Sequence, residues 1–102
     1  MKTLILAASL TFLSTTAMAE TVCEQMGQLA EIVMYDRQND MSLTDTSSKL
    51  DGIFEDGGPW RELGQEMMIS AYTGPNYNTE SIKTKTIADF SDKWHVQCLA
   101  NG

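Results

Sequence analysis

Two cysteines, Cys23 and Cys98, bracket almost everything that follows an apolar leader, and this pair constrains the chain more than any other feature. A chain of this kind carries an even cysteine count in a short exported domain, so the default pairing is one bridge between Cys23 and Cys98. In the chain-entropy description, closing a loop of about 76 residues stabilises a fold by roughly 4 kcal/mol, an upper figure because strain and residual structure reduce it. Any fold proposed for the chain must bring its two ends together.

The leader has three regions in the order that export requires. Lys2 supplies a positive start, Leu4 to Leu13 is an apolar run, and Ala17-Met18-Ala19 is a small-x-small cleavage site. The run is shorter than the roughly 20 apolar residues a bilayer span needs. Residues 1–19 are therefore read as a signal peptide cleaved after Ala19, and residues 20–102 as one domain in the periplasm or secreted, with no stable membrane insertion after cleavage. Glu20-Thr21-Val22 ahead of Cys23 does not fit the small residue that precedes an acylated cysteine. Of 102 residues, 83 remain once the leader is removed, near the lower limit of what a core stabilises without a staple. Without Lys2, six basic residues face fourteen acidic ones, a net charge of −8. Such a surface repels nucleic acid and anionic lipid, and it suits a basic protein partner in the cell envelope. It also keeps an exported domain in solution.

Helical periodicity recurs along the domain, broken at Gly57-Gly58-Pro59 and Gly74-Pro75. Thr21-Val22-Cys23-Glu24 has the form of a capping box. Beyond it, Val22, Cys23, Met26, Leu29, Ala30, Val33 and Met34 fall on one side of a helix running to about Gln38, with Glu24, Gln28, Glu31 and Tyr35 on the other. A second helix is expected from Ser42, with Leu43, Thr46, Leu50, Ile53 and Phe54 at helical spacing. Thr46-Ser47-Ser48 and Gly52 have poor propensity, which makes it short or irregular. Pro59 suits the first turn of a third helix, in which Trp60, Leu63, Gly64, Met67 and Ala71 form the stripe and Met68 and Tyr72 flank it. Gly74 and Pro75 end it. The fourth helix is expected to start at Asn78 or Thr79 and run to about Leu99, with Ile82, Thr86, Ile87, Phe90, Trp94 and Cys98 on a broad face.

Parity selects the topology. With four antiparallel passes, the start of the first helix and the end of the fourth lie at the same end of a bundle; three passes would separate them. The expected fold is all-α, a small antiparallel four-helix domain stapled by a disulfide between its first and last helices.

Chemistry-bearing residues are sparse. His95 is the only histidine, with Asp92 and Asp89 on its helix, and a histidine without a nucleophile, close carboxylate or metal partner does no chemistry. Glu62 and Glu66 are spaced like an acid–base pair, but a helix face opposite an apolar stripe is ordinarily solvated. Asp36, Asp40, Asp45, Asp51, Glu55 and Asp56 lack the spacing of a calcium loop. No catalytic residue, metal or cofactor is expected. The methionines after the leader, Met26, Met34, Met41, Met67 and Met68, fall mostly on core stripes rather than on an adaptable binding face. The candidate interface residues are Ile32 and Tyr35, opposite the first stripe, and Trp60, Tyr72 and Tyr77 around the two breaks, since aromatic side chains often anchor interfaces; each could equally lid the core. Arg37, just beyond the first stripe, is expected either to pair with a carboxylate of the bundle or to stand exposed at a helix end.

Cys23, Ile32-Val33-Met34 followed by Arg37-Gln38, then Ala71-Tyr72, Pro75, Tyr77, Phe90 and Cys98 together resemble a pattern of small exported proteins of bacteria and their prophages. The likeness spans nearly the whole domain and implies fold and compartment, not an activity. In size and bridge count the chain also resembles the small two-cysteine helical chaperones of the periplasm, although the order and spacing of residues differ and their lysine-rich ends are missing. The expected function is a non-enzymatic protein-binding module, inhibitory or immunity-type, blocking an envelope enzyme or incoming toxin. The competing expectations are an accessory subunit of an envelope assembly, an acid-stress chaperone and, last, an enzyme.

Overall fold

The computed structural model describes residues 21–53 and 59–101, with the side chains of Pro59 and Trp60 outside the description. The leader, its cleavage site, Phe54 and the Glu55 to Gly58 break also lie outside the described residues. Within them the chain is all-α: four helices packed compactly, α1 over residues 21–38, α2 Leu43–Ile53, α3 Pro59–Thr73 and α4 Glu80–Asn101.

The helix ends follow local chemistry. Ser42 caps α2: its Oγ accepts the Asp45 N–H at 3.1 Å and its carbonyl accepts the Thr46 N–H at 3.1 Å. The Thr79 carbonyl accepts the Lys83 N–H at 2.9 Å, which makes Thr79 the corresponding residue of α4. α1 ends in a Schellman-type turn, with the Met41 N–H returning to the Asp36 carbonyl at 2.9 Å and Asp40 in the left-handed region at φ 65°.

The core is one cluster drawn from all four helices. α1 contributes Met26, Leu29, Ala30, Val33 and Met34, α2 contributes Leu50, α3 contributes Met67, Met68 and Ala71, and α4 contributes Phe90 and Trp94. Leu63, Tyr72, Ile87 and Cys98 pack against its edge. The Phe90 and Trp94 rings, one turn apart, meet tilted at 59° with centroids 6.1 Å apart, a favourable aromatic geometry.

Several stripe positions are not in the core. Val22, Leu43, Ile53 and Ile82 are 37 to 52% exposed. Leu43 and Ile53 each lie three residues, or about 60° of arc, from the buried Thr46 and Leu50, so α2 buries only a narrow strip. Ile82 lies 100° round α4 from Lys83, which faces α1. Val22 stands in the same relation to the buried Cys23.

Cys23 and Cys98 form the expected disulfide between the first and last helices, with Cα atoms 5.4 Å apart. Their register continues along the whole α1–α4 contact. Ser91 Oγ donates to the Gly27 carbonyl at 2.7 Å, and farther along Lys83 Nζ donates to the Gln38 carbonyl. Numbers rise on one helix as they fall on the other, as antiparallel neighbours require.

Candidate functional site

The sequence candidates divide into two places. Ile32 and Tyr35, one turn apart on α1, stand outward at 40% and 56% exposure beside the exposed Glu31. Tyr72 and Tyr77 lie instead at the junction of the α1 C-terminus with the α3–α4 connection, and both are partly buried. The main chain of Trp60 is in the first turn of α3; its side chain is among those not described.

At the junction a polar network holds three elements together. Tyr72 Oη donates to the Met41 carbonyl at 2.9 Å and lies 2.7 Å from Thr46 Oγ1, which in turn donates to Asp36 at 3.2 Å. Lys49 Nζ reaches both oxygens of the same carboxylate, at 3.1 and 2.9 Å. Arg37 pairs with no carboxylate among the described residues. Its Nη2 donates to the Gly74 carbonyl at 2.9 Å, and its guanidinium carbon sits 5.5 Å from the centroid of the Tyr72 ring, a cation–π arrangement. Gln38 is fully buried: its amide donates to the Pro75 carbonyl at 3.0 Å and accepts the Tyr77 N–H at 2.9 Å. A buried amide satisfied on both sides fixes the connection to α1.

Asp36, Gln38 and Thr46 are the buried polar residues that reading for apolar stripes misses. The signal for two of them was in the periodicity itself. Leu29, Val33 and Asp36, like Ala30, Met34 and Gln38, follow three- and four-residue steps, which carry the buried face of α1 straight into polar side chains.

His95 is partly buried where α4 crosses α1, so close to Gly27 that a Cβ there would stand 3.3 Å from His95 Cβ. Glu62, Glu66, Asp89 and Asp92 are exposed. Asp89 holds the Lys85 ammonium at 2.7 Å; this hydrogen bond and the attraction of the carboxylate raise the lysine pKa above its ordinary 10.5. Among the described residues no group of three or more His, Cys, Asp or Glu is placed to hold a metal ion.

At the opposite end from the polar network, beside the disulfide, α1, α3 and α4 leave an open cleft of about 420 Å³. Met26, Leu63, Trp94 and Cys98 give it apolar walls; Glu66, Gln97 and Asn101 supply its polar groups. The buried indole N–H of Trp94 has no acceptor among the described residues.

These features define a small all-helical protein whose first and last helices are joined by a disulfide. Comparison with protein-family models, with curated proteins and with solved structures finds no match. No described helix is long and apolar enough to cross a membrane, and the disulfide is consistent with an oxidising compartment.

Proposed function

We propose that the chain is an exported protein-binding module of the periplasm or extracellular space, a rigid acidic bundle that blocks a basic envelope enzyme or an incoming toxin without catalysis of its own. The likeness to small exported proteins of bacteria and prophages, read from Cys23, Tyr72, Pro75 and Cys98 among others, is in keeping with it. The observation that carries the reading is the Ile32–Tyr35 pair. An aliphatic and an aromatic side chain stand one turn apart on the outside of the helix that contributes most to the core, next to Glu31. Burying such a pair against a partner recovers apolar area that the fold leaves in water, and tyrosine does so at small entropic cost. The net negative charge adds attraction for a basic surface and speeds encounter.

The test is site-specific photo-crosslinking from position 35 in the producing cell, followed by mass spectrometry. One recurrent basic envelope protein, captured at low salt and lost at high salt, is the expected result. Capture of a fixed multi-subunit assembly regardless of salt would instead make the chain an accessory subunit, and no capture at all would remove the binding reading.

A further inference from the structure

We propose that the cleft beside the disulfide receives a basic side chain, arginine or lysine, presented on a loop of the partner protein. The inference rests on the protein-binding reading for the source of that side chain, while the chemistry of the cleft stands on its own residues.

Three observations select this occupant. The walls formed by Met26, Leu63 and Trp94 match the apolar stem of a long basic side chain, which buries its methylenes while its charged head stays near water. Glu66 stands at the cleft as an exposed carboxylate and takes part in none of the ion pairs among the described residues. Its charge is therefore available to a guanidinium or ammonium head. Lastly, an open cleft of about 420 Å³ has room for one long side chain.

Other occupants fit worse. An anionic group would meet Glu66, and a purely apolar side chain would strip water from that carboxylate. Because the cleft lies at the disulfide end and Ile32 and Tyr35 lie farther along α1, it is a second point of contact rather than a restatement of the first.

The experiment uses the oxidised mature chain, labelled with nitrogen-15, and follows the two indole N–H signals, assigned with Trp60→Phe. The probes are N-acetyl-arginine N-methylamide and its norleucine and glutamate counterparts. The arginine probe is expected to shift the Trp94 signal saturably, with norleucine at least about fivefold weaker, as removal of one partly solvated ion pair implies, and with no effect from glutamate. Glu66→Gln, on an exposed position where the fold is insensitive, should weaken the arginine probe about fivefold and bring it level with norleucine. Absence of saturation up to about 20 mM of the arginine probe, beyond the weakest useful range, would overturn the proposal. So would equal binding of arginine and norleucine, or an unchanged Glu66→Gln variant. A partner crosslinked at position 35 whose affinity ignores Glu66→Gln would sink the cleft and spare the binding reading. Saturable arginine binding with no captured partner would do the reverse.

Discussion

The Asp36 carboxylate, with 3% of its side chain exposed, lies 2.9 Å from the Lys49 ammonium, which keeps 42% of its side chain in water. The two ends of this pair are thus unequally solvated, and the pair joins α1 to α2, the helix with the thinnest share of the core. Removing Lys49 leaves a buried carboxylate with only the Thr46 hydroxyl among the described residues; removing the charge of Asp36 leaves an ammonium that water can reach. Lys49→Met should therefore destabilise by about 2 kcal/mol, below the full cost of breaking a buried pair because water already reaches the lysine, and Asp36→Asn by about 1 kcal/mol. Urea denaturation of both variants checks the order; a larger loss for Asp36→Asn would contradict it.

Gly27 and Gly52 should respond oppositely to alanine. A methyl at Gly27 meets His95 Cβ at 3.3 Å and the Ser91 carbonyl at 3.4 Å, both anchored close to the α4 backbone. Overpacking there exceeds the gain in helix propensity, for a net loss of about 1 kcal/mol. Nothing lies within 4 Å of a methyl at Gly52 in α2, so Gly52→Ala should gain about 0.5 to 1 kcal/mol. Thermal melts of the two variants should move in opposite directions.

Reduction should cost the domain a large part of its stability. The Cys23–Cys98 bridge spans a sequence separation of 75, and its removal is expected to lower stability by up to about 4 kcal/mol. Denaturant midpoints measured with and without reductant read this directly, and coincident midpoints would refute it.

The Lys85–Asp89 pair gives a signed pH effect. Since the lysine pKa is raised in the folded chain, the pair stabilises below the ordinary lysine value of 10.5 and the contribution disappears as pH rises through the higher folded value. Both side chains are largely exposed, so the effect on stability is slight and salt-sensitive. The lysine titration followed by NMR should end later than in an Asp89→Asn variant, whose midpoint should fall back toward 10.5.

Signals that act within a few residues were legible in the sequence. Ser42 and Thr79 at helix starts, Pro59 in the first turn of α3 and Gly74-Pro75 after its end each have a local physical cause, and all four mark the helix boundaries observed. The disulfide and the even number of passes followed from cysteine count and parity. Arc width was not legible, because periodicity gives the direction of a side chain but not how far a neighbour reaches round it; Leu43, Ile53 and Ile82 are exposed for that reason. The roles of Asp36, Gln38 and Thr46 were hidden because their partners, Lys49, Pro75, Tyr77 and Tyr72, lie 13 to 39 residues away in sequence. The cleft needed three helices at once: Glu66 and Trp94 share no local pattern, yet the bundle sets both beside the sulfur pair.

The sulfur bridge also determines how the molecule bears a load. A pull applied to its two extremities passes through the covalent bond between Cys23 and Cys98, whose Cα atoms are 5.4 Å apart, and bypasses the residues enclosed between them. Force applied to the oxidised chain outside the bridge leaves residues 24–97 unloaded, and once the bridge is cut the same force peels α1 from α4 starting at the mouth of the cleft.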